Sequence, residues 1–216
     1  MGEAIKIGFL FDRSNDWLHK ALNGLKWIPE FTTRYEYVES FDIDDTTGLD
    51  VLFILGYTKI LPGKFLASNG LNLVIHESAL PRGRGFSPVQ WQVLEGANEI
   101  PVCMIEAATP VDSGDIYGTA TITLEGHELM PEIRSAQANA TKRLIISFLS
   151  KYPEYSKTAQ VGDATQYRRR TREDDRLNPD KTIREQFNQL RIADNDLYPA
   201  YFEIDGVRYL LRITKA

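Results

Sequence analysis

Short apolar segments recur along the chain, and polar stretches that contain glycine or proline separate them. Four segments are almost continuously apolar, which is typical of buried strands: residues 5–11, 51–55, 71–75 and 101–105. Residues 35–41 form a shorter strand candidate. Threonines alternate with apolar residues over 116–124, which predicts a strand with one buried face.

Apolar residues at helical spacing predict helices between these strands. The predicted helices span residues 15–26, with Ser14 as the N-cap, and residues 65–67, 88–95 and 131–149. Because strands alternate with helices, we expect residues 1–150 to form an α/β domain. Its sheet would be Rossmann-like, doubly wound and mostly parallel.

The character of the chain changes after residue 150. Residues 151–179 are mostly polar and charged, and we expect residues 151–216 to form a C-terminal extension of the main domain. This extension would contain a helix over residues 182–192. It would end in a β-hairpin of residues 200–204 and 207–213, joined at Asp205-Gly206, a strong two-residue turn signal.

Composition fits a globular protein and excludes some functions. The 216 residues are 43% hydrophobic and 25% charged, enough for one domain with a core. The net charge of −5 gives no support to nucleic-acid binding, which calls for a basic surface. No apolar run reaches transmembrane length and the N-terminus lacks a secretory signal, so we expect a cytoplasmic protein without membrane association.

The sequence lacks the motifs and residue spacings that several cofactors and metal ions require. No Gly-x-Gly-x-x-Gly follows the first strand, which argues against a nicotinamide or flavin cofactor. The single cysteine, Cys103, cannot form an intramolecular disulfide, and the three histidines lie too far apart for zinc-ligand spacing. We therefore expect no metal site.

His76 is the most suggestive single residue. It follows a predicted buried strand and precedes a loop held by Pro81, Gly83 and Gly85, a common site geometry in open α/β sheets. From chemistry alone, a lone histidine at a strand end such as His76 is more often a structural residue than a functional one. The same holds for Asp112, because Asp-Ser-Gly is ordinary turn chemistry.

Three short motifs, read together, change this balance. Residues 76–81 resemble the His-x-Ser-Leu-Leu-Pro motif of formyltransferases that use N10-formyltetrahydrofolate. Residues 56–62 are similar to the loop of that family whose backbone holds the pterin, and residues 111–115 resemble its Leu-Asp-Thr-Gly-Asp turn. The motifs occur in the family's order, so the resemblance implies the formyltransferase fold and activity.

The resemblance implies a set of site residues and one co-substrate. N10-formyltetrahydrofolate would be the formyl donor, and His76 and Asp112 would be catalytic. Implied folate-binding residues are Tyr57, Thr58, Lys59, Ile60, Leu61, Ser78, Leu80, Pro81, Ala108, Thr109, Pro110 and Val111. Acyl transfer to an amine needs a donor to the developing oxyanion and a path for the released proton. His76 could serve either need, oriented by Asp112, and we favour the donor role.

One position departs from the family pattern. The family has Asn-x-His, whereas Val74 stands two residues before His76. Asn72 lies two positions further back, which along a strand is a shift of roughly 6 to 7 Å, so we do not expect it to substitute. A catalytically silent folate-binding or sugar-nucleotide-binding protein therefore remains an alternative.

Within the family, residues 76–88, 173–175 and 186–191 look most like the amino-sugar branch. That likeness implies a nucleotide-linked 4-amino-4,6-dideoxy sugar as acceptor, a role in surface polysaccharide biosynthesis and a homodimer. A UDP-linked pseudaminic-acid precursor is favoured, with a GDP-perosamine-like sugar next. A methionyl-tRNA formyltransferase-like enzyme is a further alternative, disfavoured by the acidic charge. Glycinamide ribonucleotide is disfavoured because no Gly-rich phosphate loop follows Phe11.

Several residues are candidates for binding the sugar nucleotide: Arg82, Gly83, Arg84, Trp91, Tyr167 and Arg168. The loop arginines suit a folate glutamate or a phosphate, but equally a solvated surface. Arg168 beside an aromatic ring suits a diphosphate and base, although the acidic residues 173–175 offer it partners. Trp91 suits the core or a stacking platform.

Overall fold

The computed structural model describes residues 4–22 and 34–216, which form ten strands and five α-helices. The strands are β1 (Ile5–Phe11), β2 (Tyr35–Ser40), β3 (Val51–Leu55), β4 (Leu71–His76), β5 (Arg84–Gly85), β6 (Glu99–Glu106), β7 (Ile116–Thr123), β8 (Gln166–Tyr167), β9 (Ala200–Ile204) and β10 (Val207–Leu211). The helices are α1 (Asp16–Leu22), α2 (Gly63–Leu66), α3 (Pro88–Leu94), α4 (Met130–Leu149) and α5 (Phe187–Arg191). No helix in the described ranges is long and apolar enough to cross a membrane.

The central sheet has six strands in the order β2-β1-β3-β4-β6-β7. The first four are parallel, β6 runs antiparallel to β4, and β7 runs antiparallel to β6. The α/β class and the predominance of parallel strands are therefore confirmed. The carboxyl ends of β1, β3 and β4 share one edge of the sheet, so the loops that follow them meet there.

The two faces of the sheet have different coverings. Leu71, Leu73 and Ile75 of β4 lie in the main core with residues of α1 and α4. Successive side chains of a strand point to opposite faces, so Val74 and His76 belong to the other face. There Val74 packs on a smaller cluster of Leu10, Leu52, Ile54 and Phe65. The histidine thus projects away from the long helix α4.

Two predicted helices differ from the structure. A 3-10 turn precedes α1, and the carboxylate of Asp12, rather than Ser14, caps it by accepting from the Ser14 N–H at 2.9 Å. The predicted continuation to residue 26 lies outside the described residues. The helix expected over residues 182–192 is limited to α5, because the buried Gln186 side chain bonds to both backbone groups of Asn178.

The C-terminal segment (residues 151–216) contacts the sheet-forming part of the chain, among other places, through α5 and β8. The predicted hairpin is present as β9 and β10, with positive φ at both Asp205 and Gly206. Arg191 of α5 is buried and bonds to Asn98 and Glu128. Two-residue strand β8 pairs in parallel with β5, which belongs to the loop after β4.

Candidate active site

His76 is the last residue of β4, and the loop that follows folds back over its ring. The Nε2 atom lies 2.8 Å from the carbonyl oxygen of Gly83. A carbonyl only accepts hydrogen bonds, so Nε2 carries a proton in this arrangement. Gly83 has a φ of 72°, and a Cβ there would lie 2.8 Å from Cε2 of Tyr167, so glycine is required at this turn.

Asp112 faces the other nitrogen of the ring. Its Oδ1 lies 3.7 Å from Nδ1 of His76, and its Oδ2 accepts a hydrogen bond from the Gly85 N–H at 2.9 Å. The two side chains are only 7% and 8% exposed. Asp112 has a φ of 58°, a left-handed conformation that Asp and Asn tolerate better than other non-glycine residues. The structure therefore brings the two predicted catalytic residues together.

The turn that carries Asp112 reaches His76 by folding back. Because β6 runs antiparallel to β4, this turn begins beside the amino-terminal end of β4, where the Ala107 N–H donates to the Asn72 carbonyl at 2.8 Å. The chain passes close to itself at Gly114, where a Cβ would overlap the carbonyl oxygen of Glu106. Glycine at this position permits the tight return.

Asn72 does not take the place of the missing family asparagine. Its side-chain amide donates to the Leu66 carbonyl at 2.8 Å and accepts from the side chain of Asn69 at 3.2 Å. Both partners lie before β4, away from its carboxyl end. Val74, the residue at the family position, packs among apolar side chains.

Glu77 places a second carboxyl group next to His76. Its Oε1 accepts a hydrogen bond from Gln137 of α4 at 2.6 Å. Burial raises the pKa of the Glu77 carboxyl, while the neighbouring His76 ring and the Gln137 hydrogen bond oppose that rise. Glu77 follows His76 directly, so it lies on the helix-covered face of the sheet.

The loop after β3 contains five of the predicted folate-binding residues and is fixed to the end of β1. Asp12 accepts hydrogen bonds from the Thr58 N–H at 2.9 Å and from its hydroxyl at 2.5 Å. Burial alone would raise the pKa of Asp12, but the hydrogen bonds from Thr58 and Ser14 outweigh it and lower that pKa to about 2. Leu61 packs on the Leu10 cluster, whereas Ile60 is 83% exposed.

The remaining predicted folate-binding residues divide into buried and exposed groups. Leu80 packs on Cys103 and Ile105, so it is part of a core cluster. The Ser78 hydroxyl is buried and has no hydrogen-bond partner within the described residues. Pro81 is buried and Ala108 is half-buried, while Thr109, Pro110 and Val111 are exposed beside Asp112.

The predicted sugar-nucleotide residues form a partly exposed aromatic and cationic surface. Trp91 stacks on Tyr167, with ring centroids 6.3 Å apart, and the Arg168 guanidinium lies 4.7 Å from the Trp91 centroid. Burial and the hydrogen bond to Glu95 raise the pKa of Tyr167 to about 12. Arg168 also pairs with Asp174, the surface alternative that the sequence left open.

The two loop arginines differ in their surroundings. Arg82 is exposed. Arg84 is half-buried, and its Nη2 donates to Oε1 of Gln160 at 2.7 Å. The neighbouring Phe86 is exposed and lies under the Arg169 guanidinium, at 4.2 Å.

Three polar residues at the site were not among the predicted ones: Asp12, Glu77 and Gln160. Asp12 carries the same signal as His76, a titratable side chain directly after a buried strand. Glu77 belongs to the quoted motif but occupies its variable position. Gln160 lies in a polar stretch without periodicity, and no sequence signal marks it.

Comparison with known proteins identifies the family and the fold. The model of the formyl transferase family matches residues 32–149. A methionyl-tRNA formyltransferase of Lactobacillus acidophilus is 30% identical over 164 residues, which are 74% of this chain and 52% of that protein. The chain thus spans about half the length of the curated relatives it matches.

Solved structures with less than 25% sequence identity share the fold. A methionyl-tRNA formyltransferase from Clostridium thermocellum has a TM-score of 0.81 at 21% identity, covering 98% of this chain and 93% of that one. HypX from Aquifex aeolicus in complex with tetrahydrofolic acid has a TM-score of 0.79 at 17% identity, covering 98% of this chain and 38% of that one.

A likely sugar N-formyltransferase from Mycobacterium tuberculosis has a TM-score of 0.75 at 15% identity, covering 97% of both chains. Because the sequence identities to this chain are low, these solved structures show only that the fold is shared. The family model, in contrast, matches more than half of the sequence and includes both His76 and Asp112. The chain belongs to the formyl transferase family.

Proposed function

We propose that this protein transfers a formyl group from N10-formyltetrahydrofolate to the amine of a nucleotide-linked 4-amino-4,6-dideoxy sugar. The observation that carries the proposal is the buried His76–Asp112 pair, 3.7 Å apart, at the loop edge of a formyl transferase fold. The favoured acceptor is a UDP-linked sugar of the pseudaminic-acid type, followed by a GDP-perosamine-like sugar.

The residues around the pair fit a folate. A pterin has flat apolar faces and a polar edge, and Ile60 and Val111 offer exposed apolar side chains on the loops after β3 and β6. The buried Ser78 hydroxyl, two residues after His76, has no hydrogen-bond partner in the described part of the chain. The tetrahydrofolate complex of HypX, which shares the fold, supports this assignment. The folate supplies the formyl group.

The hydrogen bonds of His76 give its two ring nitrogens different roles in proton transfer. Nε2 donates its proton to Gly83, so Nδ1 is the atom that can gain a proton from the attacking amine. Asp112 lies 3.7 Å from Nδ1 and would stabilise the resulting imidazolium. This arrangement supports the proton-acceptor role of His76 over the oxyanion-donor role that we favoured from the sequence.

The choice of a sugar nucleotide rests on the surface beside the loop after β4. Phe86 and Trp91 present aromatic rings to which Arg169 and Arg168 add positive charge, and a nucleotide offers a base and a diphosphate. Among the described residues, no carboxylate pairs with Arg169. The likely sugar N-formyltransferase that shares the fold supports this class of acceptor. The acidic net charge disfavours tRNA.

A panel assay tests the proposal. Purified protein is mixed with N10-formyltetrahydrofolate and, separately, with 4-amino-sugar nucleotides and methionyl-tRNA, and release of tetrahydrofolate is followed. Turnover with an amino-sugar nucleotide and none with the tRNA is expected. Turnover with the tRNA alone would instead support the activity of the curated relatives. Binding of 5-formyltetrahydrofolate without any turnover would identify a silent folate-binding protein.

We also propose that the protein forms a homodimer through the β9–β10 hairpin. Val207, Tyr209 and Leu210 of β10 are about half exposed, and exposed apolar side chains on an edge strand favour pairing with another surface. Light scattering coupled to size exclusion should give twice the chain mass for the wild type. Leu210→Glu should yield the monomer, and a monomeric wild type would refute the proposal.

A further inference from the structure

Gln160 of the C-terminal segment joins two parts of the candidate active site. Its Nε2 donates to the carbonyl oxygen of Asp112 at 2.8 Å and to that of Gly114 at 2.9 Å. Its Oε1 accepts a hydrogen bond from Nη2 of Arg84 at 2.7 Å. The side chain is half-buried between the turn that carries Asp112 and the loop after β4.

The chemistry of these partners fixes the orientation of the amide. Two carbonyl oxygens need donors and a guanidinium needs an acceptor, so the amide nitrogen must face the turn and the oxygen must face Arg84. A carboxylate could satisfy Arg84 but would repel both carbonyls. A lysine could satisfy the carbonyls but would repel Arg84. A neutral amide meets both requirements.

These hydrogen bonds and the backbone between Arg84 and Gly85 form a closed cycle of contacts that includes Asp112. The Asp112 carboxylate accepts from the N–H of Gly85, which follows Arg84 directly. The Arg84 side chain bonds to Gln160, and Gln160 bonds to the backbone carbonyl of Asp112. Asp112 is therefore held at both its side chain and its left-handed backbone, with the carboxylate directed at His76.

A second set of contacts shows that the same segment also holds the loop whose carbonyl binds His76. The Gly83 N–H donates to the Thr165 hydroxyl at 2.9 Å, and the Arg84 N–H donates to the Thr165 carbonyl at 3.0 Å. The Phe86 N–H donates to the Tyr167 carbonyl at 3.2 Å. Residues 160–167 thus support both partners of the histidine.

We propose that Gln160 is a positioning residue for the formyl transfer, acting by holding the Asp112 turn against the loop after β4. The proposal rests on the proposed function for its effect on rate, while the effect on the turn is independent of any activity. Gln160 is not a catalytic residue in this account, because it acts through Asp112.

Two substitutions separate this role from simple pairing with Arg84. Gln160→Glu keeps the acceptor for Arg84 but removes both donors to the turn, and Gln160→Met removes all three hydrogen bonds at similar size. Loss of the hydrogen bonds from Gln160 to the Asp112 turn in either variant should lower kcat about tenfold or more. Small displacements of the reacting groups reduce the rate of the chemical step strongly. In Gln160→Glu, which keeps the acceptor for Arg84, KM for the acceptor should change less than about twofold.

The rate of amide hydrogen exchange at Gly85, measured by NMR, reports directly on whether the Asp112 turn is held in place. The Gly85 N–H is donated to Asp112, so release of the turn should speed its exchange about tenfold or more in both variants. Gln189→Glu is the matched control, because the Gln189 side chain also donates to a backbone carbonyl, that of Arg176 at 3.2 Å, but lies outside the regions that form the site. It should leave both readouts unchanged. Gln160→Asn, which is one methylene shorter, substitutes for any variant that fails to fold.

The possible results of these experiments distinguish the positioning role of Gln160 from the proposed function of the protein. Faster Gly85 exchange together with a lower kcat supports the positioning role. Wild-type exchange and kcat in Gln160→Glu would overturn it and leave only a pairing role with Arg84. A lower kcat without faster exchange would also overturn it. If the wild-type protein turns over no substrate, the proposed function fails, while the exchange measurement still decides whether Gln160 holds the turn.

Discussion

At His76, the two ring nitrogens have different partners, and this difference decides which nitrogen can exchange a proton. Nε2 is bound to the Gly83 carbonyl at 2.8 Å, whereas Nδ1 faces a carboxylate oxygen at 3.7 Å, beyond a normal hydrogen bond. A neutral ring in this arrangement has its lone pair on Nδ1. The loop after β4 therefore selects the tautomer that suits proton acceptance near Asp112.

The tautomer can be measured. In the neutral form, the ¹⁵N NMR spectrum of His76 should show a protonated Nε2 and an unprotonated Nδ1, because the Gly83 carbonyl binds only a donor. His76→Gln identifies the signal by its disappearance, with His19 and His127 as internal references. A protonated Nδ1 with a bare Nε2 would contradict the proposed path of the proton.

The sequence was sufficient to predict which side chains form the site, but not which backbone groups bind them. His76 and Asp112 stand in recognisable motifs, so their pairing follows from the resemblance. The Gly83 carbonyl and the Gly85 N–H belong to groups that every residue possesses, and only the path of the loop makes them partners. The same limit applies to Gln160, whose role depends on how a distant segment returns to the site.

At the scale of single elements, the loop after β3 depends on one carboxylate at the end of β1. The lowered pKa of Asp12, about 2, means that its ionised form is stabilised in the folded protein by Thr58 and Ser14. A group whose pKa falls on folding contributes stability above its unfolded pKa and loses it as the pH falls towards the folded value. The contribution is therefore present above about pH 4 and lost towards pH 2.

Asp12→Asn tests this contribution. At neutral pH, its free energy of unfolding should be lower than that of the wild type by roughly 2 kcal/mol, which corresponds to the pKa shift. The difference should shrink as the pH is lowered from about 4 to 2. Urea unfolding at several pH values measures it. A difference that stays constant with pH would mean that ionisation of Asp12 is not responsible.

Helix α5 is anchored by a single buried cation. Arg191 bonds to the Glu128 carboxylate at 3.2 Å and to Oδ1 of Asn98 at 3.3 Å. Removing one partner of a buried ion pair leaves the other uncompensated, so Arg191→Met should reduce the free energy of unfolding by about 3 kcal/mol. Denaturant unfolding measures the loss, and Arg208→Met, at an exposed pair with Glu203, is the control. Equal, small effects would show that burial adds nothing at Arg191.

The elements divide into those that the apolar pattern determines and those that depend on tertiary contacts. β1 and β3 have the predicted bounds, because the buried positions of a parallel strand must be apolar; β3 is buried throughout, and β1 is buried from Ile7 onwards. The pattern around residues 182–192 suggested a longer helix than α5. There the Gln186 side chain satisfies backbone groups of Asn178, which periodicity alone does not indicate.

For the whole molecule, the site is assembled from three separate regions: the loop after β4, the turn after β6 and residues 160–167. The sequence indicated the first two by motif. It did not indicate that β6 runs antiparallel to β4, because a buried strand is apolar in either direction. That reversal is why the turn must fold back to reach His76.

The central claim is that the His76–Asp112 pair carries out formyl transfer to an amine, and Asp112→Asn tests it most directly. Asparagine tolerates the left-handed backbone at this position, so the variant removes the charge while keeping the turn. Asp205→Asn makes the same change at another aspartate with a left-handed backbone, in the β9–β10 turn outside the site, and is the control. The measurement is the initial rate of tetrahydrofolate release with the best amino-sugar acceptor. We predict a rate about 10²-fold or more below wild type for Asp112→Asn, with Asp205→Asn near wild type. A folded Asp112→Asn protein with a near-normal rate would contradict the account.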